Sequence, residues 1–154
     1  MESGLEGGCA CGAVRYRLSS EPFDCGWCHC ATCRRLSGAP ACAFATVSVD
    51  DFVITRGEAR VGTFRSSHFG HRRFCRDCGA QLTIQVDYQP ETIDFPIGSL
   101  DHPDAVAPGF HIFYASKVGW FETADDLPRH DRFRPDTRGL AGTEPPDGLQ
   151  SSQR

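Results

Sequence analysis

Hydrophobic and polar residues alternate along most of the chain. From Gly12 to Leu18, Val14, Tyr16 and Leu18 fall on one side and Arg15 and Arg17 on the other. That period of two is the pattern of a half-buried strand. Ala41–Val47 is an apolar run with few polar breaks and reads as a buried strand. Phe52–Thr55 and Val61–Arg65 predict two more strands, with Gly57 near the turn between them. Leu82, Ile84 and Val86 alternate with Thr83 and Gln85 and give a fifth. Ile93–Ile97 gives a sixth, in which Pro96, lacking an N–H, predicts an edge position. His111–Ala115 gives a seventh. The segment through Pro22 and Gly26 reads as a loop carrying four cysteines. No long apolar period of 3.6 residues is present; short helical turns are expected only at Ala31–Ser37 and Asp125–Leu127. Short strands cut by Gly and Pro predict an all-β fold of antiparallel sheets packed face to face, with few or no helices.

At 154 residues, 40% of them hydrophobic, the chain is long enough for one cored domain. We expect that domain over residues 1–134. Residues 135–154 contain two Leu and no aromatic side chain, too little to offset the entropy of ordering, and are expected to be a disordered tail. No apolar run approaches the roughly 18–20 residues of a membrane-spanning helix, so no membrane partner is expected. The net charge of −4 excludes a polycation built for nucleic acid. The first ten residues, MESGLEGGCA, carry neither a basic start nor an apolar stretch, which predicts a cytoplasmic protein. Nine cysteines in a reducing compartment point to metal binding or redox chemistry rather than a disulfide framework.

The cysteines form two constellations. Cys9 and Cys11, followed by Gly12, precede the first strand; Cys75 and Cys78, followed by Gly79, lie some sixty residues later. A glycine after the second cysteine allows the positive φ that turns backbone amides toward sulfur. Four thiolates from two distant loops fit a closed tetrahedral zinc site. The second set, Cys28, Cys30 and Cys33, is local. Its spacing is consistent with an open three-thiolate zinc site, with a closed one in which Cys25 is the fourth ligand, with a redox pair made by Cys25 and Cys28, or with metal-free thiols. An open fourth position is the mark of catalytic zinc.

Three motifs in this order, GGCACGAVRYRL, CHCATCRRLSGAP and FCRDCGAQL, resemble the glutathione-dependent formaldehyde-activating enzyme family, which includes centromere protein V-like proteins. IGSLDHPDAVAPGFHIFYASKVGWFE and DDLPRHDRF extend the resemblance over residues 5–134. It implies a β-tent of small antiparallel sheets stapled by zinc. It implies one structural zinc on Cys9, Cys11, Cys75 and Cys78, and a second, catalytic zinc on Cys28, Cys30 and Cys33, which are then the catalytic residues; a site with only three ligands is expected to lose its metal readily. The implied activity is that of a carbon–sulfur lyase forming or cleaving a thiol–aldehyde adduct, with a small thiol such as glutathione and a small aldehyde such as formaldehyde as partners. Cys25 and Cys42 fall outside that ligand pattern. The alternative functions are a non-catalytic zinc-binding interaction module and a thiol redox enzyme.

An anionic thiol needs cationic contacts. Arg34, Arg35, Arg56, Arg60, Arg65, Arg72, Arg73 and Arg76 read either as a carboxylate-binding wall or as a solvated strand face. His29, between two candidate ligands, either orients a proton or faces solvent; His111 is expected in the core or a pocket wall. Lys117 and Trp120 are further candidates for a pocket lining, with packing the favoured alternative for Trp120.

Overall fold

A computed structural model describes residues 4–135 of the protein. The expected tail lies outside the described residues except for Pro135. Strands β1 (Glu6–Gly8), β2 (Arg15–Leu18) and β5 (Phe52–Arg56) form a small antiparallel sheet in the order β1-β2-β5. Strands β3 (Phe23–Cys28), β4 (Cys42–Ser48), β6 (Val61–Arg65), β7 (Gly70–Cys75), β8 (Gln81–Val86), β9 (Thr92–Pro96) and β10 (His111–Ile112) form a larger sheet. Its order is β10-β3-β4-β9-β8-β7-β6, antiparallel except where β10 runs parallel to β3. One short α-helix, α1 (Ala31–Ser37), follows β3. The fold is thus mostly β, as the alternation predicts. Asp125–Leu127 is not helical; there the Asp125 carboxylate accepts the Leu127 N–H at 3.0 Å, a local turn that competes with a helix.

The main core lies between the two sheets. Tyr16 and Leu18 of β2 and Phe52 of β5 pack on Ala45 and Val47 of β4 and on Ile93 and Phe95 of β9. The Tyr16 and Phe52 rings stack at 4.5 Å, and the Tyr16 hydroxyl meets Ser99 Oγ at 2.7 Å. Central strands have two covered faces. Ala45 and Val47 face this core while Phe44 and Thr46 line a pocket on the other side, which is why β4 reads as a continuous apolar run. The same alternation in β9 sends Ile93 and Phe95 to the core and Asp94 to the pocket. Pro96 is therefore not on an edge strand: β9 is central. Pro96 is its last residue, opposite Phe44 of β4, beyond the pairing of β9 with β8 at Asp94, so its missing N–H removes no bond from that side.

Two glycines separate conformational strain from steric overlap. Gly38 ends α1 at φ 70° and its N–H donates to the Arg34 carbonyl at 2.8 Å; a side chain there meets open space. Gly57 has φ 82°, and a Cβ would overlap the Ala13 carbonyl oxygen. Gly38→Ala is expected to cost about 1 kcal/mol, the left-handed penalty alone, and Gly57→Ala at least ~2–3 kcal/mol because backbone must also move. Urea denaturation midpoints check this ordering; equal losses at the two positions would remove the steric argument.

Candidate functional site

The sulfurs of Cys9, Cys11, Cys75 and Cys78 lie within 4.8 Å of one another. Cys9 and Cys11 sit between β1 and β2, Cys75 ends β7, and Cys78 lies in the turn to β8. Gly12 and Gly79 have φ values of 79° and 78°, the conformation the motif requires. Backbone amides turn toward sulfur: Val14 N–H donates to Cys9 Sγ at 3.2 Å, and the Ala80 and Cys11 amides hold the Cys78 thiol down at about 6. The sulfur separations are 3.6 Å for Cys9–Cys11 and 3.8 Å for Cys11–Cys75. A tetrahedron with zinc–sulfur arms of about 2.3 Å has edges of about 3.8 Å, so these residues fit such an ion.

The second set is placed by the junction of β3 and α1. Cys28, Cys30 and Cys33 are buried, with sulfurs mutually within 4.8 Å. Cys30 is the N-cap of α1, and its sulfur accepts the Cys33 N–H at 3.2 Å. Arg72, 5% exposed, reaches across from β7 to donate from Nη2 to Cys33 Sγ at 3.4 Å. The neighbouring sulfurs of Cys30 and Cys33, and then burial, push the Cys28 thiol well above its ordinary range. Three thiolates cannot share one guanidinium in a buried site; a soft divalent cation relieves the repulsion. Both cysteine clusters can therefore hold a metal ion, and the thiolate donors suit zinc.

Cys25 does not join this trio. It packs against the main core with Ala43 and Val106, on the other side of β3 from Gly26 and Cys28, which line the pocket. Two residues three apart on a strand and facing opposite ways cannot form a disulfide without backbone movement. Burial, with the Asp24 charge behind it, also pushes the Cys25 thiol up to about 11, leaving it protonated at neutral pH. The closed site and the redox pair built on Cys25 are both excluded by this orientation. Cys42 packs beside the trio, its sulfur 3.6 Å from the Cys33 carbonyl oxygen, and is not among the converging sulfurs.

The trio opens into a cavity of about 190 Å³ with walls from Phe44, Phe69, Phe110 and Phe113. Its charged residues are Asp24, Asp94, Arg72 and Arg134. Asp94 accepts from the Thr46 hydroxyl at 2.7 Å. Burial lifts its carboxyl to about 6; Thr46 opposes this, the Asp24 charge adds to it, and Arg72 opposes it. Asp24, Asp94 and Arg134 do not stand out in the sequence reading. The one available signal for Asp94 is a carboxylate in the apolar stretch TIDFP.

Of the arginines considered as a wall, Arg72 alone lines the cavity. Arg60 pairs with Asp77, Arg65 with Asp87, Arg56 donates to the Gly12 carbonyl and Arg34 to the Ser116 carbonyl. These are surface contacts. His29 neither faces solvent nor lines the cavity. It is buried behind β3, where Nε2 meets His111 Nδ1 at 2.8 Å, and His111 Nε2 meets Asp125 at 3.1 Å. Burial holds His29 down at about 4, so His29 is a neutral imidazole in this string of groups, which positions the β3–β10 junction. Lys117 pairs with Glu122 at 2.9 Å, and Trp120 is 75% exposed; neither lines the cavity.

Comparison with known proteins agrees with this arrangement. A protein of Halomonas elongata named for glutathione-dependent formaldehyde activation is 29% identical over 126 residues, 77% of this chain and 80% of its own. A Schizosaccharomyces pombe protein, named as an uncharacterized lyase, is 35% identical over 77 residues, half of this chain and 54% of its own. The crystal structure of a Rhodobacter sphaeroides protein superposes with a TM-score of 0.53 at 26% identity, covering 67% of this chain and 91% of that one. The family profile described as glutathione-dependent formaldehyde-activating enzyme matches residues 4–116. Both cysteine clusters fall within that span, and with nearly three quarters of its length matched, the chain belongs to the glutathione-dependent formaldehyde-activating enzyme family.

Proposed function

We propose that this protein is a zinc-dependent carbon–sulfur lyase of the cytoplasm that forms or cleaves a thiol–aldehyde adduct, as in S-hydroxymethylglutathione synthesis. Cys9, Cys11, Cys75 and Cys78 would hold a structural zinc; Cys28, Cys30 and Cys33 would hold a labile, catalytic one. The observation that carries this is the buried trio of sulfurs at one end of a cavity in a chain of this family. When bound, a zinc ion with a vacant position supplies ionisation of a thiol or polarisation of a carbonyl at neutral pH.

The reaction joins a thiol sulfur to an aldehyde carbon. The thiol proton must leave, and the carbonyl oxygen must gain one. The phenyl walls exclude water and hold the two reactants together, which raises their effective concentration. Arg72 donates to Cys33 Sγ and so fixes that ligand and withdraws charge from it. Asp94 is the cavity's proton carrier: at about 6, its carboxyl can accept the thiol proton and return it to the oxygen near neutral pH.

Asp94→Asn tests this. Adduct formation, followed by NMR exchange, should slow about hundredfold and lose its acid limb near pH 6. Stability should move the other way. A raised carboxyl pKa favours the protonated form in the folded state, so its stability is intact below about 4 and is lost as pH rises through about 6. The burden reaches on the order of 3 kcal/mol at neutral pH. Asp94→Asn should therefore melt above the wild type by a margin that widens from about pH 4 to about pH 7 and then levels off. Unchanged kinetics in a folded variant would remove Asp94 from the mechanism; no acceleration over buffer by the wild type, with any thiol, would remove the lyase.

A further inference from the structure

Asp24 combines three unusual features. It is a non-glycine residue at φ 48°, in the left-handed region. It lies where the pairing of β3 with β4 slips between Phe23 and Gly26. Its Oδ1 accepts from Arg134 Nη1 at 2.7 Å, yet its Oδ2 is buried and has no hydrogen-bond partner. An irregular, strained turn of strand that places half a carboxylate in a cavity wall without a donor is costly, and such features concentrate at functional sites.

The cavity's cations are already committed. Arg72 donates from Nε to Ser66 Oγ at 3.0 Å, from Nη1 to Gln81 Oε1 at 3.2 Å, and to Cys33 Sγ. Arg134 holds Asp24 and stacks over the Phe110 ring at 4.3 Å. Asp24 Oδ2 is therefore a spare acceptor on a residue that lines the cavity, with a second carboxyl, Asp94, close enough to feel its charge.

We infer that Asp24 is a subsite for a cationic nitrogen on the thiol substrate, so that the pocket selects amino-thiols over thiols ending in a carboxylate. The inference rests on the lyase reading only for the sulfur end. Asp24 and Cys28 are four residues apart on β3, roughly 10–13 Å at the usual rise once the bulge is allowed for. With both side chains reaching inward, a sulfur and a nitrogen about six bonds apart bridge them.

The test uses unreactive thioethers on the zinc-loaded protein. Calorimetric titration compares 5-(methylthio)pentylamine with 6-(methylthio)hexanoate. The amine is expected to bind at least ~10-fold more tightly, the scale of one charge-assisted hydrogen bond. Asp24→Asn, which keeps the Oδ1 acceptor and accepts a left-handed backbone, should abolish the preference. Equal or reversed affinities in the wild type overturn the subsite whether or not the variant folds, and so does a preference that survives in Asp24→Asn. Adduct exchange with 5-aminopentanethiol and 6-mercaptohexanoate is run alongside. An amine preference in binding without acceleration of either thiol would leave the subsite standing and separate it from the lyase reading, which ends only when no thiol is accelerated; acceleration without an amine preference would keep the lyase reading and overturn the subsite.

Discussion

Cys75→Ser is expected to unfold the protein. Cys75 is fully buried and packs with Cys9, Val14 and Leu82 beneath the four-sulfur cluster. That cluster ties the turn after β1 to the turn after β7, two segments more than sixty residues apart that belong to different sheets. Structural zinc contributes about 10–16 kcal/mol in small peptides at neutral pH, as much as the about 5–15 kcal/mol of a whole domain. A serine hydroxyl is a hard, neutral donor and does not replace a thiolate. The variant should give a collapsed amide spectrum, no cooperative melt and little bound zinc. A well-dispersed spectrum and a melt within a few degrees of the wild type would show that the staple lies elsewhere.

Cys30→Ser has the opposite expected outcome: fold kept, second ion lost, activity lost. Cys30 caps α1 through its sulfur, and serine is a better N-cap than cysteine. The helix start therefore survives, and the pocket cluster of Cys28, Phe44 and Phe113 changes little in volume. Two thiolates remain, too few to retain the ion. Zinc content should fall from about two per chain to about one. Adduct formation should fall at least ~30-fold, the ratio between a fully ionised thiol and one only about 3% ionised at neutral pH. Unfolding of Cys30→Ser would identify the trio as structural and leave no catalytic centre.

Much of the frame is legible in the sequence. A strand with one buried face alternates cleanly, as in Val14–Leu18; Leu82–Val86 alternates as well, although Thr83 on its other face is also buried, and α1 sits at the expected short helical turn. Three strands were hidden. β1 is three residues with two glycines. β3 carries a bulge, a left-handed Asp24 and Gly26, which break its alternation. β7 reads as polar because Arg72 and Arg73 occupy adjacent positions, yet Arg72 is buried against the thiol trio. Pro96 misled in the same way: a proline is barred only where a neighbour needs its N–H, and that depends on where the adjacent strand stops.

The two sulfur sets are readable along the chain alone, because chelation within a tight turn depends on spacing and on glycines that are local to the chain. The strands with one dry face are readable for the same reason. What faces the sulfurs depends on how the strands assemble. Cys25 turns to the core, Arg72 arrives from β7, and Asp24, Asp94 and Arg134 converge on one cavity from positions up to 110 residues apart. Strand order and the face each residue takes set those meetings, and both are settled by burial across the whole domain rather than by any neighbour in the chain.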